Sequence, residues 1–62
     1  MDRPAKDQIL YHRHTGAPGV VAFVVGSAPT DRGWILHVLT GASEATVETL
    51  SDCWQEYPKE AA

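Results

Sequence analysis

A single cysteine, Cys53, stands in a chain of 62 residues, so no intrachain disulfide can form. Secreted domains of this size ordinarily rely on several bridges, and the composition therefore points to a reducing cytoplasm. No apolar run approaches the ~20 residues that a membrane-spanning helix needs. Met1–Arg3 leads into no signal-peptide core. Basic residues are scarce too: five Lys/Arg stand against eight Asp/Glu, for a net charge of −3. Through Gly33 there are four bases and three acids (+1), and from Trp34 onward one base and five acids (−4). A phosphate backbone is held by clustered positive charge with release of counterions, and no basic stripe is present. Gly16 and Gly19 are followed by neither the lysine nor the helix of a phosphate-binding loop.

What is present is strand-forming sequence broken by turns. Met1–Asp7 mixes charge with proline and reads as a loose arm. Ile9–His14 begins as a strand, with Ile and Tyr two apart. Thr15-Gly16-Ala17-Pro18-Gly19 is a turn. Val20–Val25 is an unbroken β-branched and aromatic run, too short for an ordinary helix. Gly26–Gly33 reads as a loop, Trp34–Leu39 as a strand and Thr40–Ser43 as a four-residue turn.

The last third admits two periods. Val47, Leu50, Trp54 and Tyr57 share one helical stripe, with Ser43 as a possible N-cap and Pro58 after the end. Read with period two, Ala45, Val47 and Thr49 oppose Glu44, Thr46 and Glu48. Thr46, Val47 and Thr49 are poor helix formers, which favours the strand. A hairpin over Thr40–Ser43 then pairs Leu39 with Glu44, Val38 with Ala45, Leu36 with Val47 and Trp34 with Thr49. This register collects Trp34, Leu36, Val38, Ala45 and Val47 on one face. Ser51–Cys53 suits a 3₁₀ turn, Trp54–Tyr57 a short fifth strand, and Pro58–Ala62 a tail. The expectation is one all-β domain over residues 8–57, a five-stranded SH3-like barrel with a 3₁₀ turn before its last strand. The alternative is a three-stranded antiparallel sheet with a C-terminal helix.

The stretch Gly19–Trp34 resembles the plasmid-borne type II dihydrofolate reductases, small SH3-like chains that work as tetramers. A glycine opens an apolar strand, and a loop ends in Thr30-Asp31-Arg32-Gly33-Trp34. That family lines its pore with a Val-Gln-Ile-Tyr run. The corresponding run here is Val47-Glu48-Thr49-Leu50, in which only the valine matches. A carboxylate in place of the amide repels a phosphorylated cofactor and an acidic folate alike. The resemblance implies the fold more than the reductase activity.

Candidate chemistry elsewhere is sparse. His12 and His14 share one strand face at a spacing used for two metal ligands, with His37, Asp52 or Cys53 as further candidates, but two nearby histidines are not a site. An acid beside Cys53 raises a thiol's pKa, so a small buried side chain is expected there rather than a nucleophile. Trp34 and Trp54 could cage a methylated cation, yet a domain this small needs its large side chains in the core. No metal, cofactor or catalytic residue is expected. If Trp34, Leu36 and Val38 point inward, then Ile35, His37, Leu39, Thr46 and Glu48 point outward, and Val20–Val25 is apolar on both faces. A chain this short cannot cover both. The expectation is a non-enzymatic interaction module that self-associates or joins another protein through Ile35, His37, Leu39, Thr46 and Glu48. The alternatives are a divergent reductase-like oligomer binding a pterin or nicotinamide, and a nucleic-acid-binding barrel using His12, Arg13, His14 and Arg32.

Overall fold

A computed structural model describes residues 2–41 and 45–58. Five strands follow in order: β1 (Ile9–His12), β2 (Pro18–Thr30), β3 (Gly33–Leu39), β4 (Thr46–Leu50) and β5 (Trp54–Gln55), with a 3₁₀ turn at Ser51–Cys53 just before β5. They form one antiparallel sheet in the order β4-β3-β2-β1-β5. The protein is all-β, and among the described residues no α-helix forms. The alternative with a C-terminal helix is corrected by β4, where the crowded χ1 rotamers of Thr46, Val47 and Thr49 suit an extended chain. The sheet is open, with β4 and β5 as its two edges.

Two further sequence expectations are corrected. The segment expected as a loop over Gly26–Gly33 is largely strand: β2 continues to Thr30, which pairs with Gly33 across Asp31-Arg32. The register slips between Val25 and Thr30, and Gly26 there adopts φ +82. Thr30 Oγ1 ties off the turn by accepting from the Arg32 N–H (3.1 Å) and donating to the Gly33 carbonyl (2.7 Å).

The hairpin register of β3 and β4 is the second correction. Leu39 pairs with Thr46, Val38 with Val47 and Leu36 with Thr49, two residues along from the register that a four-residue turn imposes. A slide of two keeps every side chain on its face, so apolar alternation cannot tell these registers apart; only turn length does. The positions Ala42–Glu44 within that turn, and the expected tail from Lys59 to Ala62, lie outside the described residues.

The core is small. Leu10, Val21, Leu36 and Val38 are fully buried and Trp54 is 5% exposed, with Val24, Trp34 and Cys53 packed against them. Gly19 faces Leu10 across the ladder, and a Cβ there would sit 2.5 Å from Val38 and 2.9 Å from Trp54, so glycine is required for this close approach. The Trp54 indole donates to Thr49 Oγ1 at 3.0 Å, which links β5 to β4, the opposite edge of the sheet. Ahead of β1, Pro4 is buried, the Asp7 N–H donates to the Val21 carbonyl, and the Val21 N–H donates to Gln8.

Candidate functional site

Alternation along the strands sorts the sheet into two faces. Opposite the core, β3 presents Ile35, His37 and Leu39, each half-buried, and β4 presents Thr46 and Glu48, both exposed. The ladder brings these five together, with Leu39 opposite Thr46 and His37 opposite Glu48, while Ile35 faces Leu50. β2 adds Val20 opposite Leu39, Phe23 opposite His37 and Val25 opposite Ile35, and β1 adds Ile9 opposite Val20. Exposure is 51% at Ile9, 49% at Phe23 and 40% at Val25.

Sequence reasoning missed Ile9, Phe23, Val25 and Leu50 as members of this face. The two-sided apolar character of Val20–Val25 was the available signal. The slip between Val21 and Phe23 reverses the alternation at Ala22, so period-two counting from Val20 assigns Phe23 and Val25 to the wrong side.

His37 holds the polar centre of this face. Its ring stacks on Phe23 with centroids 4.3 Å apart and planes 16° apart. Nδ1 lies 3.3 Å from Thr46 Oγ1, and Nε2 lies 3.8 Å from a Glu48 carboxylate oxygen. Both polar partners come from β4, so the imidazole is oriented by the same ladder that builds the face.

The other histidines serve a different purpose. His12 Nδ1 accepts from the backbone N–H groups of His14 (3.2 Å) and Thr15 (3.3 Å), which closes the turn after β1. The His12 ring meets Trp54 edge-on at 5.4 Å and His14 at 5.7 Å. His37 stands on the opposite face of the sheet, so the three imidazoles do not converge. Among the described residues no group of three His, Cys, Asp or Glu side chains is placed to hold a metal ion.

Arg13 and Arg32 do come together. They line a cleft of about 360 Å³ with Pro29, Asp31, Gly33, Trp34, Ser51 and Asp52. Arg13 Nε donates to the Trp54 carbonyl at 3.1 Å, and Arg32 Nε pairs with Asp52 at 3.4 Å. The Trp34 N–H donates to the buried Ser51 Oγ at 2.8 Å, joining the start of β3 to the 3₁₀ turn. Gly33, at φ +101, sits against the same hydroxyl, where a Cβ would collide with it. The Arg3 guanidinium lies 5.8 Å from the Trp34 ring centroid. Trp54 is thus a core residue, whereas Trp34 is half-buried with one of the chain's own cations beside it.

Half-buried Cys53 has its thiol pushed above the ordinary value, first by burial, then by the hydrogen bond it donates to Asp52 (3.5 Å) and by that carboxylate's charge, with Arg32 and Arg13 opposing. Such a thiol is a poor nucleophile. Among the described residues, no helix is long and apolar enough to cross a membrane. Comparison with protein-family models, with curated proteins and with solved structures finds no significant match.

Proposed function

We propose that this chain is a non-enzymatic, self-associating interaction module of SH3-like barrel architecture, whose outer face packs against the same face of a second copy. The barrel reading is supported by the 3₁₀ turn before the last strand and by the Trp54–Thr49 bond, which draws together the two edges of an otherwise open sheet.

The observation that carries the functional reading is the run of apolar side chains Ile9, Val20, Phe23, Val25, Ile35 and Leu39 across three adjacent strands, opposite a core of five residues. Four strands ~4.8 Å apart and about six residues at ~3.3 Å make a plate of roughly 19 by 20 Å. This is on the order of 400 Å² of flat area per subunit, so two copies would cover about 800 Å², a small interface of the size that weak or transient contacts use. A single self-complementary patch satisfies a two-fold assembly. Charged groups are few on this plate; Glu48, the one carboxylate among its strand residues, has His37 across the ladder.

Light scattering on the purified chain tests this. The expected mass at micromolar concentration is a multiple of 6.8 kDa, and Ile35→Asp should reduce it to the single-chain mass. A concentration-independent mass of one chain for the unmodified protein would remove the second copy as the occupant.

A further inference from the structure

We infer that the cleft between Arg13 and Arg32 binds a small organic carboxylate with a flat apolar body. The cleft lies at the joint of the β2–β3 turn and the 3₁₀ turn, and its volume of about 360 Å³ falls in the range of small-molecule sites, ~300–1,000 Å³. Arg13 is anchored by its backbone N–H, which donates to the Cys53 carbonyl, and its guanidinium is oriented by Nε, which donates to the Trp54 carbonyl. Both bonds leave the terminal Nη donors for a ligand. Arg32 uses Nε towards Asp52 at 3.4 Å, and these side chains are 66% and 41% exposed. Such a pair is weak enough in water for an incoming carboxylate to share the guanidinium. A guanidinium fork matches the two oxygens of a carboxylate, and two forks on one cleft offer more than a single surface arginine would.

The charge balance selects the ligand class. Two guanidiniums and the carboxylates of Asp31 and Asp52 line the cleft, so its lining balances in charge. A single carboxylate can share the two guanidiniums with the acids already there, whereas a dianion would meet two carboxylates with no surplus positive charge. Trp34 and Pro29 provide the apolar wall against which a flat ring can lie. The cleft is separate from the outer sheet face, so binding here does not depend on self-association.

The test uses the ¹⁵N-labelled full chain with benzoate as probe at constant ionic strength. The Trp34 indole N–H and the Arg13 and Arg32 Nε–H signals should shift and saturate in the millimolar range. Arg32→Gln should weaken binding about tenfold. Arg13→Lys, which keeps the charge and loses the fork, should do the same, with signals outside the cleft unchanged in both variants. Lys6→Gln should leave the titration as it was, and neither inorganic phosphate nor the neutral analogue benzamide should saturate these signals. Absence of saturation by benzoate, equal affinity in folded Arg32→Gln and Arg13→Lys, or equal binding of benzamide or phosphate would overturn the assignment.

Discussion

On the inner side of the sheet Leu10, Val21, Leu36 and Val38 have no exposed surface, while on the outer side Ile9, Phe23 and Val25 keep 40–51% of theirs. The apolar residue types are much alike on the two faces, although the outer one also carries His37, Thr46 and Glu48. The two faces differ in what lies above them. The 3₁₀ turn and β5 carry Ser51 and Trp54 onto the inner face, and Pro4 is buried ahead of β1. Nothing in the chain's described residues crosses the outer face. The described residues cover the centre of one side of the five-stranded sheet, although Val47 at its β4 edge stays 52% exposed, and they leave the second side open.

The comparison can be broken from the inside first. At about 0.05–0.15 kcal/mol per residue, a chain of this size has roughly 3–9 kcal/mol of stability. Leu36→Ala removes a fully buried side chain from a core of five residues, at a cost of about 2–5 kcal/mol. The variant should be largely unfolded or close to it by circular dichroism and urea titration.

On the outer face, Ile35→Asp should act through assembly. Each fully covered isoleucine contributes about 1.5–3 kcal/mol, and two-fold symmetry doubles the loss. The thermal midpoint should fall, and its dependence on protein concentration should disappear. A midpoint that is independent of concentration in both proteins would equate the two faces and contradict the comparison.

Gly19→Ala comes next. Its Cβ would press on Val38 and Trp54, and overpacking of this kind costs about 1–3 kcal/mol. The shift in urea midpoint should therefore be clear while the assembly mass is retained.

Cys53 sharpens the inner side with a smaller effect. Its thiol is raised in the folded state, so above the ordinary thiol pKa the folded chain binds more protons than the unfolded one. This contribution to stability is present below that pH and is lost as pH rises towards the raised value. Between about pH 8 and 10 the urea midpoint of the unmodified chain should fall further than that of Cys53→Ser. Identical slopes would show that burial and Asp52 do not hold the thiol neutral. Thr46→Ser, at an exposed position on the β4 edge, should change stability by less than about 0.5 kcal/mol.

The sequence by itself determined the class of the protein. β-branched and aromatic runs at Val20–Val25 and Trp34–Leu39, with breakers between them, impose extended strands because their χ1 restrictions suit a pleated surface. The 3₁₀ turn at Ser51–Cys53 and the outward parity of Ile35, His37, Leu39, Thr46 and Glu48 were legible for the same local reasons. Tertiary structure decided the rest. Only the ladder shows that β2 slips at Ala22, which places Phe23 over His37 and Val25 beside Ile35. Only it sets the β3–β4 register, because a slide of two leaves every face unchanged and is invisible to periodicity. The meeting of Arg13, Arg32 and Trp34 in one cleft depends on β2 continuing to Thr30 and turning within two residues. Nothing in the local sequence marks Pro4 as a buried residue either. Side-chain preference acts over a few neighbouring positions, whereas these features join residues up to forty-one apart, such as Arg13 and Trp54, and exist only once the strands have paired.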